Sequence, residues 1–179
     1  MAFIEDHKAK LDTLRTSLEA RHRDQLRRKA NGGNSILFTY PPSEERLYIK
    51  KAEEHAELLN LEIIDVAKLL VKFIDDLTLP AIERKYKIFK ATPHKVFSSF
   101  IKLIIEAIKE ADDSGKTPLL TRTGALYGTG IENVNIMEDK VVMSLNNPLV
   151  IFYPSKTEHD NLFFLNFKLA SRYRCTVIE

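Results

Sequence analysis

The chain has 179 residues, 44% of them hydrophobic and 29% charged, with a net charge of +2 and a single cysteine. That length fits one domain, and the composition excludes a disordered or fibrous protein. One cysteine excludes an intrachain disulfide, and Met1-Ala2-Phe3-Ile4-Glu5-Asp6-His7 lacks the basic and apolar regions of a secretion signal, so a cytoplasmic protein is expected. Residues 1 to 30 hold eight Lys/Arg against five Asp/Glu, leaving nineteen against twenty for the rest, so the basic excess sits on the first segment.

From Ile4 to Arg28 there is no Gly or Pro, and Leu11, Leu14, Leu18 and Leu26 recur near helical spacing. One polar helix is predicted over residues 1–30, ahead of a single α/β domain over 31–179. Asn31-Gly32-Gly33-Asn34 separates the two, because glycine reaches positive φ without penalty. Ser35-Ile36-Leu37-Phe38-Thr39-Tyr40 is a short apolar run stopped by Pro41-Pro42, as expected of a buried strand. Ser43 is placed to cap a helix reaching about Leu59. Leu61-Glu62-Ile63-Ile64 is a second strand, after which Asp65 caps a helix with Val66, Leu69, Leu70 and Phe73 on one face.

Thr78-Leu79-Pro80 and Thr92-Pro93 each predict a helix start. The second of these helices carries Phe97, Phe100, Ile104 and Ile108 on its broad apolar face and closes at Asp112-Asp113-Ser114-Gly115. Pro118 to Thr121 is a third strand, residues 137–145 a short helix, Pro148 to Tyr153 a fourth strand ending at Pro154-Ser155, and Tyr173 to Ile178 a fifth. Strands apolar on both faces alternate with helices, which predicts a mostly parallel sheet of about five strands between two helical layers.

In such a sheet ligands bind beyond the carboxyl ends of the strands. Tyr40-Pro41-Pro42, Thr121-Arg122-Thr123-Gly124 and Tyr153-Pro154-Ser155 would therefore line one crevice, with Arg122 contacting an anion or a partner. The same residues also read as plain strand terminators. Gly115-Lys116-Thr117 resembles the end of a phosphate-binding loop, but Glu110 stands where the first glycine is needed and the segment precedes a strand. It reads as a turn, and no cofactor is expected. The five histidines are scattered, without metal-ligand spacing. His159-Asp160 is the nearest approach to an acid/base pair and also reads as a solvated turn, while Cys175 sits in an apolar strand as a core residue. Arg21, Arg23, Arg27, Arg28 and Lys29 could contact DNA phosphates, or could favour a helix carboxyl end.

Ile36-Leu37-Phe38-Thr39-Tyr40-Pro41-Pro42-Ser43-Glu44-Glu45, then Leu119-Leu120-Thr121-Arg122-Thr123-Gly124-Ala125-Leu126-Tyr127, then Asn147-Pro148-Leu149-Val150-Ile151-Phe152-Tyr153-Pro154, together resemble the BrxB family of bacterial BREX phage-defence systems. The resemblance covers about Gly32 to Glu179. It implies a RecA-like core without nucleotide motifs, acting as a non-catalytic scaffold that docks a PglZ-like partner of the same system. The chain departs from the family pattern at Ser155, where a glycine is usual, and at Arg122, where a small or apolar residue is usual. Tyr40, Pro41, Arg122, Tyr127 and Tyr153 are the expected partner contacts. Two other readings stand beside this one: a degenerate nucleotide-binding protein with an unorthodox site, and a DNA-contacting accessory factor using the basic first helix.

Overall fold

The computed structural model describes residues 2–76, 80–81, 83–84, 87 and 97–179, with side chains from His7 onward. Apart from Pro80, the helix starts expected at Thr78-Leu79-Pro80 and Thr92-Pro93 lie outside the described residues. Five parallel strands form the centre: β1 (Ser35–Tyr40), β2 (Leu61–Asp65), β3 (Thr117–Thr121), β4 (Leu149–Glu158) and β7 (Cys175–Ile178), in the order β2-β3-β4-β1-β7. Two short antiparallel strands, β5 (Asn161–Phe164) and β6 (Lys168–Ala170), extend from the end of β4. The architecture is the expected three-layer α/β fold.

Alternate residues of each strand feed two cores. Ile36, Phe38, Tyr40, Val150 and Phe152 face helices α1 (Ala2–Leu18), α2 (Arg23–Lys29) and α3 (Glu45–His55). Leu37, Leu120, Ile151 and Tyr153 face α4 (Val66–Asp75), α5 (Ser98–Asp113), α6 (Asn133–Met137) and α7 (Lys140–Ser144). Burial on both faces explains why the strands are near-continuous apolar runs. Leu14, Leu26 and Ala30 are buried, so the basic first segment packs on the sheet.

Several elements differ from expectation for identifiable reasons. The first helix is two: Thr13, Thr16 and Ser17 each donate a hydroxyl to the carbonyl four residues back, which weakens the helix, and Glu19 turns extended before a 3-10 turn at Ala20–His22. Ser43 lies inside a 3-10 turn, Pro42–Glu44, rather than capping α3. The helix expected over 137–145 shortens to α7, capped by Asp139 through Val141 N, and Met137 instead ends a separate helix, α6, not expected from the sequence. Asp65 caps α4 as expected, accepting from Lys68 N at 3.0 Å. Gly115, at φ 76°, ends α5.

The largest difference concerns β4. Pro154 does not end it; the strand passes β1, whose last partner is Tyr40 opposite Pro154, and from Ser155 onward pairs with β5. A proline is tolerated at the point where the ladder changes neighbour, since no donor is needed there. His159 and Asp160, both at positive φ, form a two-residue turn between the paired Glu158 and Asn161. Such turns are usually Asn-Gly or Asp-Gly, so this hairpin carries no conventional sequence signal. Among the described residues no helix is long and apolar enough to cross a membrane.

Candidate functional site

The carboxyl ends of β1, β2 and β3 lie together with the β4–β5–β6 extension. At the end of β3, Arg122 takes the left-handed conformation at φ 52°, which aims its half-exposed side chain toward β2. There its Nη1 stands 3.5 Å from Asp65 Oδ2, the carboxylate that caps α4. Thr123 donates its hydroxyl to Phe152 O at 2.6 Å, fixing the following 3-10 turn, Thr123–Leu126, to β4. A Cβ on Gly124 would stand 3.6 Å from Leu165 and 3.9 Å from Pro154, so the turn lies close against the β4–β5–β6 extension.

This arrangement leaves three large apolar side chains outside. Tyr127 (56% exposed) meets Phe167 (60%) edge to face at 5.4 Å, and Leu169 (63%) stands beside Tyr127 on β6. Glu132 and Lys168 pair at 2.9 Å at the margin. The crevice beneath Tyr127 and Leu169 has a volume of about 10 Å³, about one water molecule's worth. The surface suits another surface rather than a small ligand. Phe167 and Leu169 were not among the sequence candidates, because only the unsignalled hairpin turns them outward.

The structure corrects two expected contacts. Tyr40 and Tyr153 are 1% and 3% exposed and lie on opposite faces of the sheet, so they share no crevice and neither presents its ring to a partner; Tyr153 lies at the floor of the small crevice beneath Tyr127. Tyr40 packs among the rings of Phe38, Tyr48 and Phe152 in tilted and edge-to-face contacts and donates to Glu45 Oε1 at 3.3 Å. Burial, with the nearby Glu45 carboxylate, holds its phenol far above the usual range. Tyr153 stacks on Phe164 at 4.7 Å, and burial, with Glu132 adding to it, likewise raises its phenol. The place beyond β4 where a ligand crevice was expected is filled by the strand's own continuation. Pro41 remains exposed at the end of β1.

The basic cluster is divided at the opposite, amino end of the sheet. Arg23 donates to Asn147 Oδ1 at 2.7 Å and Arg27 to Leu145 O at 3.2 Å, clasping the loop before β4. Arg21 pairs with Glu19 at 2.6 Å. Among the described residues Arg28 and Lys29 are exposed and make no ion pair, so two of the five cations remain for phosphate. Gly115-Lys116-Thr117 is a turn into β3, with Lys116 Nζ 2.6 Å from Glu62. His159-Asp160 is a hairpin tip. Cys175 is buried, and that burial, partly opposed by Arg172, pushes its thiol up to about 11. Among the described residues no His/Cys/Asp/Glu cluster could hold a metal ion.

Comparison of the chain with known protein families, with curated proteins and with solved structures finds no match.

Proposed function

We propose that this protein is a non-catalytic docking component, and that its partner surface is the carboxyl-end rim built by Tyr127, Phe167 and Leu169, with Arg122 and Pro41 beside it. The observation that carries the reading is the exposed Tyr127–Phe167 pair with Leu169 next to it, held on a braced turn and hairpin. Tyrosine and other aromatic anchors on a rigid support are what interface hot spots require, because little side-chain entropy is lost when they are covered. The resemblance to BrxB supplies the expected partner, a PglZ-like protein of a BREX system.

Co-expression with such a protein, one partner tagged, followed by size-exclusion chromatography at low and high salt, tests the proposal. Co-elution at both salts is expected, since an apolar contact is little screened. Tyr127→Ala with Phe167→Ala should weaken the complex by about 2 kcal/mol or more, whereas Tyr40→Phe should leave it unchanged. Separate elution of the unmodified proteins would remove the reading.

A further inference from the structure

A second surface lies on the other face of the molecule and does not depend on the preceding reading. Helices α1 and α3 cover one face of the sheet without closing over it. Between them run two hollows of about 590 and 90 Å³, which share Leu11, Asp12, Lys51 and His55 and so form one continuous groove. Tyr48 lies along its floor toward one end and Phe152 toward the other. Leu47 and Leu58 stand at its two ends, 37% and 70% exposed. On α3 and the turn after it, Leu47, Lys51, His55 and Leu58 follow helical spacing, so one whole stripe faces the groove. The eleven residues of α3 make that stripe about 16 Å long.

Among the described lining residues the lip charges lean positive. Lys8, Arg15 and Lys51 stand there against Asp12. Lys51 is engaged by Glu54 at 2.6 Å, while among the described residues Lys8 and Arg15 have no ion-pair partner. Glu44 lies 3.8 Å from His7, toward the Tyr48 end. An apolar channel three helical turns long, between two helices and rimmed by cations, matches the shape and charge of a third helix.

We infer that this groove receives an amphipathic helix from a partner protein, with Leu- or Phe-type residues on its buried stripe and Asp or Glu along its flanks. The apolar stripe would cover Leu11, Leu47 and Leu58, and the acidic flank would lie against Lys8 and Arg15. A small amphiphile would fill only the larger hollow and leave Leu58 uncovered.

The test is fluorescence anisotropy of the full chain with three labelled peptides of about 15 residues: a Leu-striped helix flanked by Glu, its twin with Lys for Glu, and a scramble of the first. The acidic helix is expected to bind at least about tenfold tighter than either control. Lys8→Glu with Arg15→Glu should weaken it about tenfold and reduce its salt dependence, with circular dichroism reporting that the variant is folded. Leu58→Glu, at an exposed turn position, should weaken it as well, and Tyr127→Ala should not. No binding up to about 1 mM peptide, equal binding by the scramble or the Lys twin, or indifference to the Lys8/Arg15 changes would each overturn the inference. Binding of decanoate in the groove without binding of the acidic peptide would also overturn it, in favour of a small-molecule pocket.

Discussion

The two ends of the sheet use similar residues to opposite ends. At the amino end, Asp112 is buried and accepts from Asn146 N, Asn146 Nδ2 and Asn147 N at 2.8 to 3.0 Å. Asn147 in turn takes Arg23, and Asn34 donates to Leu145 O at 3.0 Å while its carbonyl receives Leu149 N. These hydrogen bonds hold α2, α5 and the loop before β4 in one arrangement, while Arg23 Nε and Ser35 Oγ beside them are buried without a hydrogen-bond partner among the described residues. At the carboxyl end, Arg122 reaches a single carboxylate at 3.5 Å, and Tyr127, Phe167 and Leu169 face water. Polar groups that satisfy each other indoors are architecture; aromatic groups held rigid outdoors are available for recognition.

Substitutions sharpen that contrast, beginning with the amino end. A Cβ on Gly33 would fall 1.9 Å from Arg174 O, a backbone atom that β7 holds in place. Gly33→Ala should therefore destabilise by about 3 kcal/mol or more, or prevent folding, as judged by urea denaturation and soluble yield. Asp112→Ala strands the N–H groups of Asn146 and Asn147 and should cost about 3 kcal/mol in the same assay. A loss below about 1 kcal/mol would show that water replaces the carboxylate and that the amino end is looser than described.

Cys175 opens β7 at the same end. Its thiol holds its proton up to about 11 in the folded chain, against an ordinary 9.0. The unfolded state releases that proton first, so the contribution is whole below about pH 9 and is lost as pH rises toward 11, up to roughly 2 kcal/mol. Cys175→Ala should flatten the alkaline stability profile across that window. An identical slope in the variant would mean the thiol is not insulated.

Smaller effects belong to the carboxyl end. Tyr127→Ala with Phe167→Ala removes an exposed edge-to-face pair and should change stability by about 1 kcal/mol or less while affecting partner binding most. Large destabilisation would move that pair from the recognition side of the contrast to the structural side. Arg122→Gly relieves a left-handed backbone strain but adds freedom to the unfolded chain and removes a long, half-exposed ion pair; a net gain of about 0.5 kcal/mol is expected. Arg122→Ala, which keeps the strain, should show no such gain by thermal denaturation.

The layers follow from local pattern. Ile36-Leu37-Phe38 and Leu149-Val150-Ile151-Phe152 are apolar without alternation, Asp65 precedes a helical stripe, and Asp112-Asp113-Ser114-Gly115 closes a helix. Each of these signals acts within a few residues, so reading it needs no knowledge of distant neighbours. Of the rim proposed to meet a partner, only Pro41, Arg122 and Tyr127, which lie just past strand ends, were legible.

What tertiary structure alone decided is which side chains are spent. Tyr40 and Tyr153 look alike in sequence as tyrosines at strand ends, yet the sheet pleat sends them to opposite cores and buries both. Arg23 and Arg27 belong to a basic run, yet the packing of α2 directs them onto a loop more than one hundred residues away. The β5–β6 hairpin forms through a His-Asp turn because β4 outruns β1 and its continuation finds a new partner, and that pairing, rather than any local propensity, turns Phe167 and Leu169 outward. Burial is a property of how faces meet, and a linear pattern fixes the faces without fixing their meeting.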